Sequence, residues 1–238
     1  MERTISATRS EADYDVGLRA FLISVYNRLA LGILITAAFA WLTGNTPFGE
    51  AFFKALPNGK IDYTILGYGV VFGPIVLILV MGFLLKNTST RAGSAFLFFA
   101  SSVLFGLSTG VIFKLYTGVS VAETFLITSA MFGGLSLWGY TTKRDLGPIG
   151  AFLFAALLGL ILMMVVSIFI PGMHLVVSAI GVLIFSGFIA YDTQRLKSDY
   201  ASGGDMTVRA NLSAFNLYLD FINLFQFLLQ FVGGPRKD

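Results

Sequence analysis

Long apolar runs separated by short polar, glycine- or proline-bearing stretches make up most of the chain. A helix needs roughly 20 residues to cross the hydrocarbon core of a bilayer. By that measure the pattern predicts spans at 21–43, 63–85, 92–113, 119–140, 149–170, 175–191 and 211–232. Only "KLYTG" parts the third from the fourth and only "PGMH" the fifth from the sixth, so each pair reads as an antiparallel hairpin. The longest connection, "GNTPFGEAFFKALPNGKID", carries turn signals in "NTPFG" and "PNG" and has room for a short interfacial helix between them. Three segments follow: an N-terminal tail over 1–20, a membrane domain over 21–232 and a short C-terminal tail over 233–238.

The last run breaks the apolar rule. "LSAFNLYLDFINLFQFLLQF" holds Asp220 at its middle, and at 100° per residue Ser213, Asn216, Asp220, Asn223 and Gln230 fall within an arc of about 100°. A charge at the bilayer centre costs at least about 2.5 to 3.5 kcal/mol, so this stripe must turn inward. The expected fold is therefore all-α: an integral membrane bundle of seven transmembrane helices whose C-terminal helix is central and surrounded by the other six. An inward carboxylate needs a partner, and the best candidate is Asp192 in "FSGFIAYDTQRLKSDY" at the end of the sixth span. With a loop drawn over 192–210, Asp220 lies about 15 Å deep. The two meet only if the sixth helix runs past Tyr191 or the seventh begins earlier than drawn. Should they meet, they cannot both ionise cheaply, and a shared proton makes them a pH sensor. Taken singly, Asp192 also reads as a helix-end carboxylate satisfied by water and Arg195, and Asp220 as a neutral acid bonded to an asparagine.

Other side chains are weaker candidates. Glu123, near the start of the fourth span, reads as an interfacial carboxylate or as the mouth of a cation pathway. Lys86 reads as a topology signal or as a latch on one of the aspartates. Gly69 and Gly73 in the second span, and Ser129 and Gly133 in the fourth, have the small-xxx-small spacing that permits close helix packing.

Composition agrees with the pattern. The chain is 56% hydrophobic and 12% charged with a mean hydropathy of +0.81, whereas a soluble domain is about 25% charged. A net charge of +3, with its basic residues scattered, argues against nucleic acid as a partner. There is no cysteine and a single histidine, His174, so thiolate and histidine-cluster metal sites are excluded. The first 20 residues carry Glu2, Glu11, Asp13 and Asp15 with three arginines and no apolar core, which is not a signal peptide. With the segments taken alternately, eleven of the sixteen basic residues fall on the N-terminal side and five on the other, which places the N-terminus in the cytoplasm.

"VYNRLALGILITAAFA", "FGGLSLWGYTTKRDL", "YDTQ" and "LYLDFINLFQFLLQF", in this order, resemble the transmembrane Bax inhibitor motif family in its bacterial branch, over about residues 21 to 232. The resemblance implies a seven-helix bundle and a pH-sensitive calcium leak in a bacterial inner membrane. In it Asp192 and Asp220 match the family's paired aspartates, and Glu123 a family carboxylate. Lys86 stands where some relatives have an arginine that bonds to the pair when closed, and it lacks the planar fork. Calcium takes six to eight oxygen ligands, so Asp192 and Asp220 with Asn216 and Asn223 suit weak, transient binding. The expected function is a calcium-permeable leak or proton-coupled calcium carrier, with calcium as the transported ion and no cofactor. The expected partners are the lipid bilayer, calcium ions and protons. The alternatives are a modulator of a membrane-anchored quality-control protease, to which relatives are linked, and an intramembrane aspartyl protease. Against the latter, the second aspartate reads "LYLD" rather than GxGD and no Pro-Ala-Leu follows, so no enzyme is expected.

Overall fold

The computed structural model describes residues 2–56, 61–84 and 90–234. Helices form wherever apolar runs are long, because a backbone in lipid must satisfy its own hydrogen bonds. The order is α1 (Glu2–Asn45), a short 3-10 helix (Pro47–Ala51), β1 (Phe53–Ala55), β2 (Ile61–Tyr63), α2 (Ile65–Leu84), α3 (Arg91–Thr109), α4 (Ile112–Leu115), α5 (Gly118–Thr141), α6 (Gly147–Ser167), α7 (Met173–Ala201) and α8 (Met206–Val232). Six helices among the described residues (α1, α3 with α4, α5, α6, α7 and α8) are long and apolar enough to cross a membrane, and α2 is apolar over Ile65–Leu77. Large side chains such as Leu34, Leu126, Leu158 and Leu183 face outward, each about two-thirds exposed or more, which gives the bundle the apolar exterior that lipid requires.

Several connections differ from the sequence reading. The stretch 2–20 is helical and continuous with the first span, and the whole of α1 is 44 residues, about 66 Å long. The connection between α1 and α2 holds the short 3-10 helix and also an antiparallel hairpin that pairs Phe53 with Tyr63 and Ala55 with Ile61. Phe52 and Phe53 bury against Val70 of α2, so this hairpin is anchored to the bundle. The expected loop over 192–210 shrinks to the residues between Ala201 and Met206. Gly203 and Gly204, at φ of 73° and 92°, make that tight turn. Asp205 then caps α8, its carboxylate accepting from Thr207 N at 2.8 Å and Val208 N at 3.2 Å.

The small residues that close the bundle are not the ones the spacing singled out. Gly69 and Gly133 have open space where a Cβ would stand, and Gly73 meets Leu104 at ordinary contact distance. Tight approaches include Gly106, whose Cβ would lie 2.8 Å from Thr36 O of α1, and Gly139, whose Cβ would lie 2.3 Å from Ala190 O of α7. Spacing reports which residues share a helix face, but not which face meets a neighbour.

α8 is one uninterrupted helix, with no re-entrant break, and it packs against α7, α1, α5 and α3. Of its apolar window 72% is buried, against 44% or less in every other spanning helix. α6, by contrast, packs mainly on α7 and is 17% buried.

Candidate functional site

Both conditions for the aspartates to meet are fulfilled. α7 runs on past Tyr191 to Ala201, and α8 begins at Met206. Asp192 and Asp220 stand within side-chain hydrogen-bonding range of each other. Asp220 is only 5% exposed, and its Oδ2 has no donor among the described residues. Asp192 is half-buried. Two carboxyl groups in contact form an O–H···O bond only when one of them carries a proton.

The pair lines a cavity of about 420 Å³ bounded by α6, α7 and α8. The stripe on α8 supplies Asn216, Asp220, Asn223 and Gln230, with Gln226 added at its margin. Gln230 accepts from Ser178 Oγ of α7 at 3.2 Å. The amide of Asn223 donates to Leu219 O of its own helix at 2.8 Å, not to Asp220. A second cavity of about 350 Å³ lies where α7 turns into α8, lined by Arg195, Asp199, Asp205, Arg209, Ser213 and Asn216 among others. Arg195 and Asn216 line both cavities, so a polar track leads from the α7–α8 turn to the aspartates.

Charge along this track is set by α7. Asp192, Arg195 and Asp199 recur at i, i+3 and i+7, which places them on one helix face. Arg195 Nε lies 3.6 Å from Asp199 Oδ1, while Asp199 Oδ2 accepts from Ser213 Oγ at 2.9 Å. Arg209 donates to Asp199 O and Ser202 Oγ, which ties the turn together. Outside the membrane, Asp205 pairs with Arg91 of α3 at 2.7 Å. The hydrogen bond from Arg91 holds its carboxyl below the usual aspartate range, helped by the amides it caps.

The remaining candidates lie elsewhere or were missed. Glu123 is exposed on α5 and does not line the cavity of the pair. His174 is exposed at the start of α7, and Lys86 lies outside the described residues. Asp199 escaped the sequence reading, although its helical register with Asp192 was a usable signal. So did the work of Gln194 in "YDTQ". Its Oε1 accepts from Leu146 N at 2.8 Å and its Nε2 donates to Arg144 O at 2.7 Å, which pins the α5–α6 connection to α7 beside Asp192. Among the described residues no group of three or more His, Cys, Asp or Glu is placed to hold a metal ion.

These features define a polytopic helical membrane protein with two carboxyl groups, one of them buried, between its last two helices. Residues 18–237 match the family described as Inhibitor of apoptosis-promoting Bax1, the Bax inhibitor family, and the chain belongs to it. It is 45% identical to a Caulobacter vibrioides protein over 99% of this chain and 96% of that one. A Rickettsia prowazekii protein is 38% identical over 98% of each chain. The inner membrane protein YbhL of Escherichia coli is 37% identical over 92% of this chain and 94% of that one.

Proposed function

We propose that this protein is a calcium-permeable leak, or a proton-coupled calcium carrier, whose gate is the Asp192–Asp220 pair sharing one proton. The observation that carries the reading is Asp220 itself: a carboxylate 5% exposed in the most buried helix, facing a second carboxyl in a cavity that continues into a polar track. An ionisable residue kept at such cost inside a membrane marks an ion or proton path. Two carboxylates with Asn216 and Asn223 fall short of calcium's six to eight oxygens, and weak binding is what permeation requires. Lys86 and Glu123 belong to the same reading as a latch and an outer carboxylate. In this proposal the bundle has seven spans with α8 as its axis, α2 supplying the seventh. It lies in a bacterial inner membrane, as the name of the Escherichia coli relative says of that protein, with the N-terminus cytoplasmic.

The test is calcium flux into liposomes holding the purified protein, read across several pH values beside Asp220→Asn. One proton is worth about 1.36 kcal/mol per pH unit, so two units shift a two-state gate by up to about a hundredfold. The unmutated protein should show that dependence and Asp220→Asn should flatten it. Equal, equally pH-dependent flux from both would remove the pair from the gate.

A further inference from the structure

The cavity holding the aspartates also has a wall that an ion path does not need. Phe185 of α7 and Phe227 of α8 stack with ring centroids 5.8 Å apart at 23°, and Phe154 of α6 meets Phe188 of α7 edge-on at 5.1 Å. All four rings line the same cavity as Asp192, Asp220 and Arg195. On α7, residues 185, 188 and 192 share one face, and on α8 residues 220, 223 and 227 do the same. At 1.5 Å per residue the aromatic wall lies about 6 to 10 Å along the helices from the carboxyl groups.

That arrangement is a poor cage for a metal ion and a good one for an organic ammonium. Calcium asks for many oxygens, and phenyl rings offer none. A buried ammonium with an apolar body needs a negative group to pair its head and gains from aromatic surface along its length. The volume of about 420 Å³ is that of a small-molecule site, mostly apolar with a few convergent polar groups. Asp220 adds the second mark of such a site: it is buried to 5% exposure, and its Oδ2 has no donor among the described residues. α6, which forms the third wall, packs mainly on α7 and so leaves the cavity between itself and α8.

We propose that the cavity between α6, α7 and α8 is a binding site for a lipophilic organic cation, its ammonium group against Asp220 and Asp192 and its body along Phe185, Phe188 and Phe227. The site shares residues with the calcium path proposed above but does not require that calcium move through it. An occupant would block that path.

The experiment is calorimetric titration of the full-length protein in a maltoside micelle, whose headgroup carries no ammonium, with phenyltrimethylammonium as probe. Its charge is permanent, so the probe does not titrate. One saturable site is expected, weakened tenfold or more by Asp220→Asn and severalfold by Phe227→Leu, and unaltered by Phe231→Leu at the exposed end of α8. Far-ultraviolet circular dichroism checks that each variant is folded; should Asp220→Asn not fold, Asp192→Asn carries the same expected loss. No saturable binding, or equal affinity in the folded carboxylate variants, would overturn the site. Tert-butylbenzene, the uncharged isostere, binding as tightly as the probe would reduce the cavity to an apolar groove. Calcium flux with and without the probe is read separately: binding without any flux to inhibit would overturn the leak and leave the cation site standing.

Discussion

A polar side chain in this bundle is tolerated only with its partners, and Arg28 shows the rule at a cation. Its Nε donates to Asn211 Oδ1 at 2.6 Å and its Nη1 to Ser24 O at 2.9 Å, while Asn211 Nδ2 donates to Ser94 Oγ at 2.9 Å. One amide thus joins α1, α3 and α8. Asn211→Leu leaves the guanidinium short of an acceptor and should destabilise the detergent-solubilised protein by about 1–3 kcal/mol, read by denaturant titration, whereas Asn211→Asp keeps the acceptor and most of the stability. Asp205 gives the pH-dependent counterpart. Its carboxyl is held below the ordinary value of 3.8 by the hydrogen bond from Arg91. The ionised form is therefore favoured by folding: its contribution is complete above that value and is lost as pH falls below 3.8 through the lower folded value. Thermal unfolding of Asp205→Ala should show a lower Tm at pH 7, with the gap to the unmutated protein closing in strong acid. Of these residues Asp220 was legible, because a charge in an apolar run stands out. The Asn211 junction was not, since an amide reveals its partners only when three helices are in place.

Helix existence followed from apolar length, but helix ends and helix neighbours did not. α7 continues past Tyr191 on "DTQRLKSDY", a polar stretch with no breaker before Ser202, Gly203 and Gly204. Its apolar run ends earlier than its hydrogen bonding. That difference decides the site, because Asp192 lies inside the helix rather than in a loop. The same limit applies to the glycines. Gly133 has the sequence spacing of a packing residue but faces open space, whereas Gly139, with no such mark, lies beneath Ala190 O. Gly139→Leu should therefore push α5 from α7 and destabilise by about 1–3 kcal/mol or more, while Gly133→Leu should stay within about 0.5 kcal/mol of the unmutated protein. Denaturant titration of the two variants in one detergent separates them. Gly139→Leu should also disturb calcium flux, since Ala190 adjoins the turn that carries Asp192.

For the molecule as a whole, the fold shields its costliest side chain, leaving Asp220 5% exposed. α8 is the most buried spanning helix among the described residues, and Asn216, Asp220, Asn223 and Gln230 of its polar stripe line the cavity. Sequence pattern turned Asp220 inward, yet it contained no sign of the two cavities, which arise from α6 leaning mainly on α7 and from the short turn at Gly203 and Gly204. Arg195 stands where the two cavities share their lining, and its guanidinium is drawn toward Asp199 at 3.6 Å. A fixed positive charge at that neck opposes an entering cation, partly offset by Asp199 and by solvent, since the Arg195 side chain is 44% exposed. Under the proposed function, Arg195→Gln should therefore raise calcium flux severalfold at every pH while leaving the pH dependence in place, because Asp192 and Asp220 are intact. Asp199→Asn, which frees the guanidinium toward Asp192, should lower flux instead. Liposome flux measured across pH for both variants checks the pair of outcomes. Equal flux from both would show that the neck between the cavities lies off the ion's route.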